Sequence, residues 1–121
     1  MIGSTPAAIA ARMATIAAGN GLTVDADSTP TMHGIETRYR FRKAGRFASV
    51  ATVAVHDKHG AYHLSIVGPD LRPLADLSNK RPDGRDPSPS GTVSPILHYL
   101  ADELDEPMDR IAAIVAERAK A

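Results

Sequence analysis

The segment IETRYRFRKAGRFASVATVAVHDKHGAYHLSIV, residues 35–67, determines the fold of this 121-residue chain. It contains three runs in which polar and apolar side chains alternate, and short glycine-containing sequences separate the runs. Alternation is typical of strands with one buried face, and short turns join antiparallel neighbours. The segment therefore predicts a β-meander with strands over 35–43, 46–56 and 61–67, which turns at Ala44-Gly45 and at residues 57–60.

A helix and one further strand are predicted before the meander. Residues 4–18 favour a helix because Pro6 suits its first turn and apolar residues recur at helical spacing. The apolar stripe of this helix is Ile9, Met13 and Ile16. A short strand is predicted over residues 22–26, and a loop over residues 27–33 leads into the meander.

After the meander, the sequence predicts a loop and two helices. Leu71, Leu74 and Leu77 are expected to tuck against the core. The proline- and glycine-rich residues 78–91 predict a long loop. One helix is predicted over residues 95–104, and a second begins at Pro107 with Asp105 or Glu106 as its cap. The residues expected to face inward are Ile96, Leu97, Leu100 and Leu104 in the first helix and Met108, Ile111, Ile114 and Val115 in the second.

Together these patterns predict a single α+β domain over residues 1–121. We expect a four-stranded, mainly antiparallel sheet with an N-terminal helix and two C-terminal helices on one face, in the order α-β-β-β-β-α-α. Much of the 43% hydrophobic content is alanine, and aromatic residues make up only 4%. The predicted core is therefore thin, and we expect a partner or self-association to add stability.

Charge and cysteine content narrow the possible functions. The chain has 14 Lys+Arg and 14 Asp+Glu, so its formal net charge is zero, which argues against a dedicated polyanion binder. The absence of cysteine excludes disulfides, cysteine-ligated zinc and a thiol nucleophile. No apolar stretch approaches the roughly 20 residues that cross a bilayer. We expect a cytoplasmic protein with no membrane association, and the composition favours a prokaryotic or phage source.

The turn lengths predict which side chains share a face of the sheet. A two-residue turn at 44–45 pairs Arg42 with Phe47, and a turn at 57–60 pairs Val53 with Leu64. The helices are then expected to cover Phe47, Ala51, Val53, Val55, Tyr62, Leu64 and Ile66. The other face is mixed and carries Ile35, Tyr39, Phe41, Val50, Thr52, His63, Ser65 and Val67. On this register the arginines of the 35–43 strand fall on the helix side, and a loop of odd length or a bulge would exchange the two sets.

Basic and aromatic residues of the first hairpin form the candidate binding site. They are Arg38, Tyr39, Arg40, Phe41, Arg42, Lys43 and Arg46. Guanidinium groups suit phosphates and carboxylates, and aromatic rings stack on unpaired bases. Alternation puts the two aromatic residues on the opposite face from the arginines, which weakens a single-surface RNA site. The alternative is internal pairing with an acidic run made of Asp102, Glu103, Asp105, Glu106 and Asp109.

Three histidines, His56, His59 and His63, surround the second turn beside Asp57. Imidazole and carboxylate groups suit zinc, nickel or copper. The spacing matches no established metal motif, so we predict no metal site and no cofactor. Sequence motifs for serine hydrolases and zinc peptidases are also absent.

We interpret the chain as a non-enzymatic module that binds a protein partner through the basic β-ribbon and the mixed β-face. Prokaryotic or phage-encoded adaptors and inhibitors fit this description. The first alternative is a nucleic-acid-binding accessory protein that uses the same arginine-rich strand. The second is a metal-dependent enzyme built on the histidine cluster. A homo-oligomer is compatible with the binding roles.

Overall fold

A computed structural model describes residues 5–32, 34–58, 60–75, 77 and 99–120. It has an α+β layout in which a helix precedes an antiparallel sheet and a second helix follows it. The elements in chain order are α1 (Thr5–Gly19), β1 (Leu22–Thr31), β2 (Gly34–Lys43), β3 (Ser49–Lys58), β4 (Ala61–Val67), β5 (Pro73–Ala75), β6 (Tyr99–Leu100), a 3-10 turn (Ala101–Glu103) and α2 (Asp105–Ala119).

The four long strands form the predicted meander, and two short strands extend it. Strands β1 to β4 are sheet neighbours in chain order, and each pair is antiparallel. Strands β5 and β6 both pair with β4, β5 near its end at Ile66 and β6 at its start at Ala61. The described sheet therefore has six strands instead of the predicted four.

Both helices pack on one face of the sheet, and the core lies between them and that face. We call this the helix side and the opposite face the far face. Helix α1 contributes Ile9, Met13 and Ala17, and α2 contributes Met108, Ile111 and Val115. The sheet contributes Leu22, Tyr39, Phe41, Ala51, Val53, Val55, Tyr62, Leu64 and Ile66. Six of the seven residues predicted on the helix side are thus confirmed, namely Ala51, Val53, Val55, Tyr62, Leu64 and Ile66.

A β-bulge in β3 reverses the predicted faces of β2. Arg42 pairs with Ser49, but the next pair is Phe41 with Ala51, so Val50 is an extra residue in β3. Side chains alternate between faces, and one inserted residue therefore exchanges the faces of the partner strand. Arg42 pairs two residues beyond its predicted partner Phe47, which alone would keep the faces, and the bulge at Val50 adds the single-residue shift that exchanges them.

The reversal buries two residues that the sequence placed on the mixed face. Tyr39 and Phe41 lie beneath the helices, with exposed fractions of 6% and 0%. Phe47, predicted to face inward, lies in the loop between β2 and β3 and is 98% exposed. The arginines of β2 project from the far face instead of the helix side, which removes the need to bury charge against the core.

The pairing of β3 with β4 is offset from the prediction without changing the faces. Val53 pairs with Ile66 instead of Leu64, and Lys58 pairs with Ala61. Asp57 Oδ1 accepts a hydrogen bond from the Gly60 amide at 3.1 Å. Because the offset is two residues, every side chain stays on its predicted face.

The described part of the first predicted C-terminal helix is not α-helical. Tyr99 and Leu100 form β6, and the 3-10 turn follows. Arg110 of α2 donates a hydrogen bond to the Tyr99 hydroxyl at 2.9 Å, and that hydroxyl donates to Glu106 at 3.4 Å. Burial raises the pKa of Tyr99 above its ordinary value. Residues 95–98 of this predicted helix and the predicted 78–91 loop lie outside the described residues.

The second predicted helix is present as α2, and it starts slightly earlier than expected. Its N-cap is Leu104, which makes no side-chain cap hydrogen bond, so the predicted capping by Asp105 or Glu106 is wrong. Both acids lie in the first turn, where they favour the positive end of the helix dipole. Pro107 also lies in this turn, where no intrahelical N–H is needed. Neither described helix is long and apolar enough to cross a membrane.

Strand β1 extends through most of the predicted 27–33 loop. Among the described strands β1 has only β2 as a neighbour, so it forms one edge of the described sheet. Asp25 and Asp27 are exposed on it, and Pro30 removes one backbone donor. Charged residues and proline discourage a sheet edge from pairing with another chain. The polar sequence of β1 therefore suits an edge strand, which needs few apolar residues.

A close backbone approach at Gly34 permits the β1–β2 hairpin to lie against β3. A Cβ atom at this position would come 1.9 Å from the backbone carbonyl oxygen of Asp57. Nearby, the Thr31 hydroxyl and His56 Nε2 are 2.9 Å apart and share a hydrogen bond. Gly34 is thus required because the backbone at Asp57 leaves no room for a Cβ atom.

The reversed faces of β2 predict opposite results for the two phenylalanines. Replacing Phe41 by Ala should lower the free energy of unfolding by about 3–5 kcal/mol, because it leaves a cavity in the core. The matched change Phe47→Ala should stay within about 0.5 kcal/mol. Urea unfolding followed by circular dichroism measures both. Equal losses would show that the bulge at Val50 is misplaced.

Gly34→Ala should destabilise the chain by at least about 1–3 kcal/mol, because backbone atoms on the other side cannot yield easily. Gly19→Ala at the end of α1 is the control, since no atom lies within 4 Å of its added Cβ. Thermal unfolding of the two variants gives the comparison. A Gly34→Ala variant as stable as the control would contradict the close approach.

Candidate binding site on the far face of the sheet

Cross-strand pairing brings the arginines of β2 beside small polar and apolar residues. One row across the far face consists of Arg38, Ala54 and Ser65, and the next consists of Arg40, Thr52 and Val67. The sequence predicted that Thr52, Ser65 and Val67 share a mixed face. The structure adds the arginines to that same face, which the predicted register had excluded.

These two rows form the floor of a cleft of about 390 Å³. Its lining comprises Glu36, Arg38, Arg40, Thr52, Ala54, Ser65, Val67 and Leu71. Guanidinium and hydroxyl groups offer hydrogen-bond donors, while the alanine, valine and leucine side chains offer apolar contact. A cleft of this kind suits an anionic group carried on a partly apolar segment.

The arginines differ in how far the chain already neutralises them. Arg42 forms an ion pair with Asp25 of β1. Arg38 reaches Glu36 at 3.7 Å, and both side chains are substantially exposed, so this pair contributes little. Arg40 makes no ion pair within the described residues, although its Cα partner on β1 is Asp25. Arg40 is therefore the cation in the cleft that is most available to a ligand.

The acidic run near α2 is engaged elsewhere in the described structure. Asp105 and Asp109 lie 2.5 Å and 3.4 Å from the guanidinium of Arg12 on α1. Glu106 lies 2.8 Å from Arg110 within α2. The two pairs of Arg12 join α1 to α2, on the other side of the sheet. The internal-pairing alternative is therefore not realised between these three acids and the arginines of β2.

Leu71 stands at the rim of the cleft in an unusual conformation. Its φ is 65°, in the left-handed region that a branched side chain rarely adopts, and its side chain is 78% exposed. The turn is held by hydrogen bonds from the Leu71 amide to the Gly68 carbonyl and from the Gly68 amide to Arg72, each at 3.0 Å. Asp70 pairs with Arg72 at 3.2 Å. A fixed turn thus holds an apolar side chain outward.

The sequence missed this role of Leu71. It was expected to tuck inward with Leu74 and Leu77, and the structure buries Leu77 and partly buries Leu74. No local pattern distinguishes Leu71 from the other two leucines. Its exposure follows from the backbone of the turn between β4 and β5.

The loop between β2 and β3 lies at the same end of the sheet as the Leu71 turn. Strands β2 and β4 both run toward this end. The loop carries the exposed side chains of Arg46 and Phe47, and Lys43 ends β2 just before it. Leu71 and Phe47, the two most exposed apolar side chains described at this end, therefore lie at the end of the sheet toward which the arginine-bearing strand β2 runs.

The structure divides the predicted site residues into three groups. Arg38, Arg40 and Arg42 lie on the far face. Lys43 and Arg46 lie at the end of the hairpin. Tyr39 and Phe41 lie in the core, so they are not part of the surface that carries the arginines.

His56 and His63 are direct cross-strand partners on β3 and β4, closer than the predicted diagonal arrangement. Thr31 is hydrogen-bonded to His56. His59 lies outside the described residues. In the part of the chain that the structure describes, no group of three His, Asp or Glu side chains has the geometry to hold a metal ion.

Comparison of the chain with protein-family models, with curated proteins and with solved structures finds no significant match.

The strained backbone of Leu71 predicts that glycine stabilises this position. Leu71→Gly should raise the free energy of unfolding by up to about 1 kcal/mol, because glycine adopts positive φ without steric cost. Leu71→Ala keeps the strain and should stay within about 0.5 kcal/mol of the original chain. Chemical unfolding measures both. A glycine variant less stable than the alanine variant would contradict the strained conformation.

Proposed function

We propose that this protein is a non-enzymatic binding module that accepts an acidic segment of a partner protein in the far-face cleft. The observation that carries the proposal is the position of Arg40. Its guanidinium lines a cleft with Thr52, Ser65 and Val67, and it makes no ion pair within the described residues. A partner carboxylate would supply the missing counter-charge.

The surroundings of the arginines support a protein as the partner. Residues that dominate protein interfaces are arginines and aromatic or large apolar side chains near one another. Leu71 and Phe47 are exposed at the same end of the sheet as Arg40. A partner segment that alternates acidic and apolar side chains would satisfy both kinds of group. Such a protein acts by occupying its partner, as an adaptor or inhibitor does.

Reversing two charges in the cleft should remove this binding. The probe is a fluorescent peptide of alternating Glu and Leu, compared with its Gln and Leu counterpart by fluorescence anisotropy. Arg38→Glu with Arg40→Glu should weaken the acidic peptide at least about tenfold, because attraction becomes repulsion. Lys58→Glu with Lys120→Glu, two exposed lysines, makes the same change in charge and should bind as the original chain does.

Circular dichroism must show that both double variants keep the fold. We expect this because the substituted positions are exposed or partly exposed. Equal affinity for the Glu and Gln peptides would contradict an acidic partner. Unchanged binding by the arginine variant would place the site elsewhere.

One observation favours a nucleic acid as a second candidate partner. Phe47 is 98% exposed next to Arg46, and an exposed aromatic ring beside a cation can stack on an unpaired base. The core positions of Tyr39 and Phe41 leave this candidate with fewer aromatic contacts than the sequence predicted. Single-stranded oligonucleotide binding that falls steeply with added salt, and exceeds binding of the acidic peptide, would favour it.

A further inference from the structure

The helix side of the sheet contains a second cavity, separate from the far-face cleft. It has a volume of about 230 Å³ and lies where the first turns of α1 cross the end of the sheet. Ile35, Asp57 and Tyr62 stand side by side on β2, β3 and β4 and form one wall. The lining also includes Ile9, Tyr39 and Val55. We call this the helix-side pocket.

Tyr39 brings an unpartnered polar group to the helix-side pocket. The residue is only 6% exposed, and within the described chain no hydrogen bond joins its hydroxyl to another group. Burial raises the pKa of Tyr39, so its hydroxyl keeps its proton at neutral pH. Buried hydroxyl groups in proteins normally have a hydrogen-bond partner. A bound molecule with a polar group would provide one.

Asp57 brings the negative charge. Its Oδ1 accepts the Gly60 amide hydrogen bond at 3.1 Å, which fixes the orientation of the carboxyl group. Its second oxygen has no partner among the described residues. The described lining of the pocket includes no Lys or Arg. Among the described residues of the lining, the carboxylate therefore has no matching cation.

We propose that the helix-side pocket binds a primary organic ammonium group on a short apolar or aromatic body. The ammonium donates hydrogen bonds to the free oxygen of Asp57 and to the Tyr39 hydroxyl oxygen. The body packs against Ile9, Ile35 and Val55, and the rings of Tyr39 and Tyr62 favour a cation nearby. The volume is below that of sites for drug-sized molecules, so the ligand is the size of one amino-acid side chain or a small arylalkylamine.

This proposal does not depend on the function of the far-face cleft. The two sites lie on opposite faces of the sheet and carry opposite charge. The arginines of the cleft select an anion, whereas Asp57 selects a cation.

The test compares 2-phenylethylamine with 2-phenylethanol, which differ only in the charged group. Both are titrated at millimolar concentrations into the ¹⁵N-labelled full chain and followed by chemical-shift changes. The amine should saturate and move the amide signals of Ile9, Ile35 and Asp57, and it should bind at least about tenfold more tightly than the alcohol. Equal binding of the two, no binding, or shifts confined to Asp25 and Asp27 would overturn the proposal.

Variants separate recognition from folding. Asp57→Asn keeps an oxygen for the Gly60 amide and should weaken the amine at least about tenfold. Tyr39→Phe removes the unpartnered hydroxyl, so it should leave the free chain as stable as before and still weaken the amine several-fold. Asp27→Asn, an exposed acid of the far face, is the control and should bind normally. An Asp57→Asn variant that binds like the control would overturn the assignment, and the comparison of amine with alcohol needs no variant.

Discussion

One extra residue in β3, Val50, governs which side of β2 meets the helices. Side chains alternate between the two faces along a strand, so this bulge sets the face that each side chain of β2 occupies. It directs Tyr39 and Phe41 into the core and the arginines outward. Burying a phenylalanine contributes about 1.5–3 kcal/mol, whereas an unpaired buried charge costs several kcal/mol. Together these two free energies favour the register with the bulge over the regular register.

The same constraint separates the two faces chemically. The helix side has an apolar core that ends in a small pocket with a carboxylate, and the far face has an arginine-lined cleft. Ion pairs between α1 and α2 engage Asp105 and Asp109, so much of the acidic run lies away from the cleft. A chain with zero net charge can in this way present two sites of opposite charge on the two sides of its sheet.

Much of the architecture could be predicted from the sequence, because it depends on local patterns. Periodic apolar residues located α1 and α2, and alternation located β2, β3 and β4, with the correct helix-side residues in β4 and from Ala51 onward in β3. The faces of β2 could not be predicted, because the bulge arises from packing between strands. Strand β1 was predicted too short because an edge strand needs few apolar residues. Tyr99 and Leu100 form a strand only through contact with β4, which no local signal reports. The arginines of the candidate site were identified, but Leu71 and Asp57 depend on the tertiary structure.

The order of the elements along the chain has a consequence for biosynthesis. Helix α1 and the four long strands are complete by Val67, but α2, which covers β3, begins only at Asp105. At a synthesis rate of roughly 5–20 residues per second, several seconds pass before α2 emerges from the ribosome. During that interval α1 is present, but the part of the core around Val53 that α2 covers lacks its helix. The nascent chain is then most exposed to premature association.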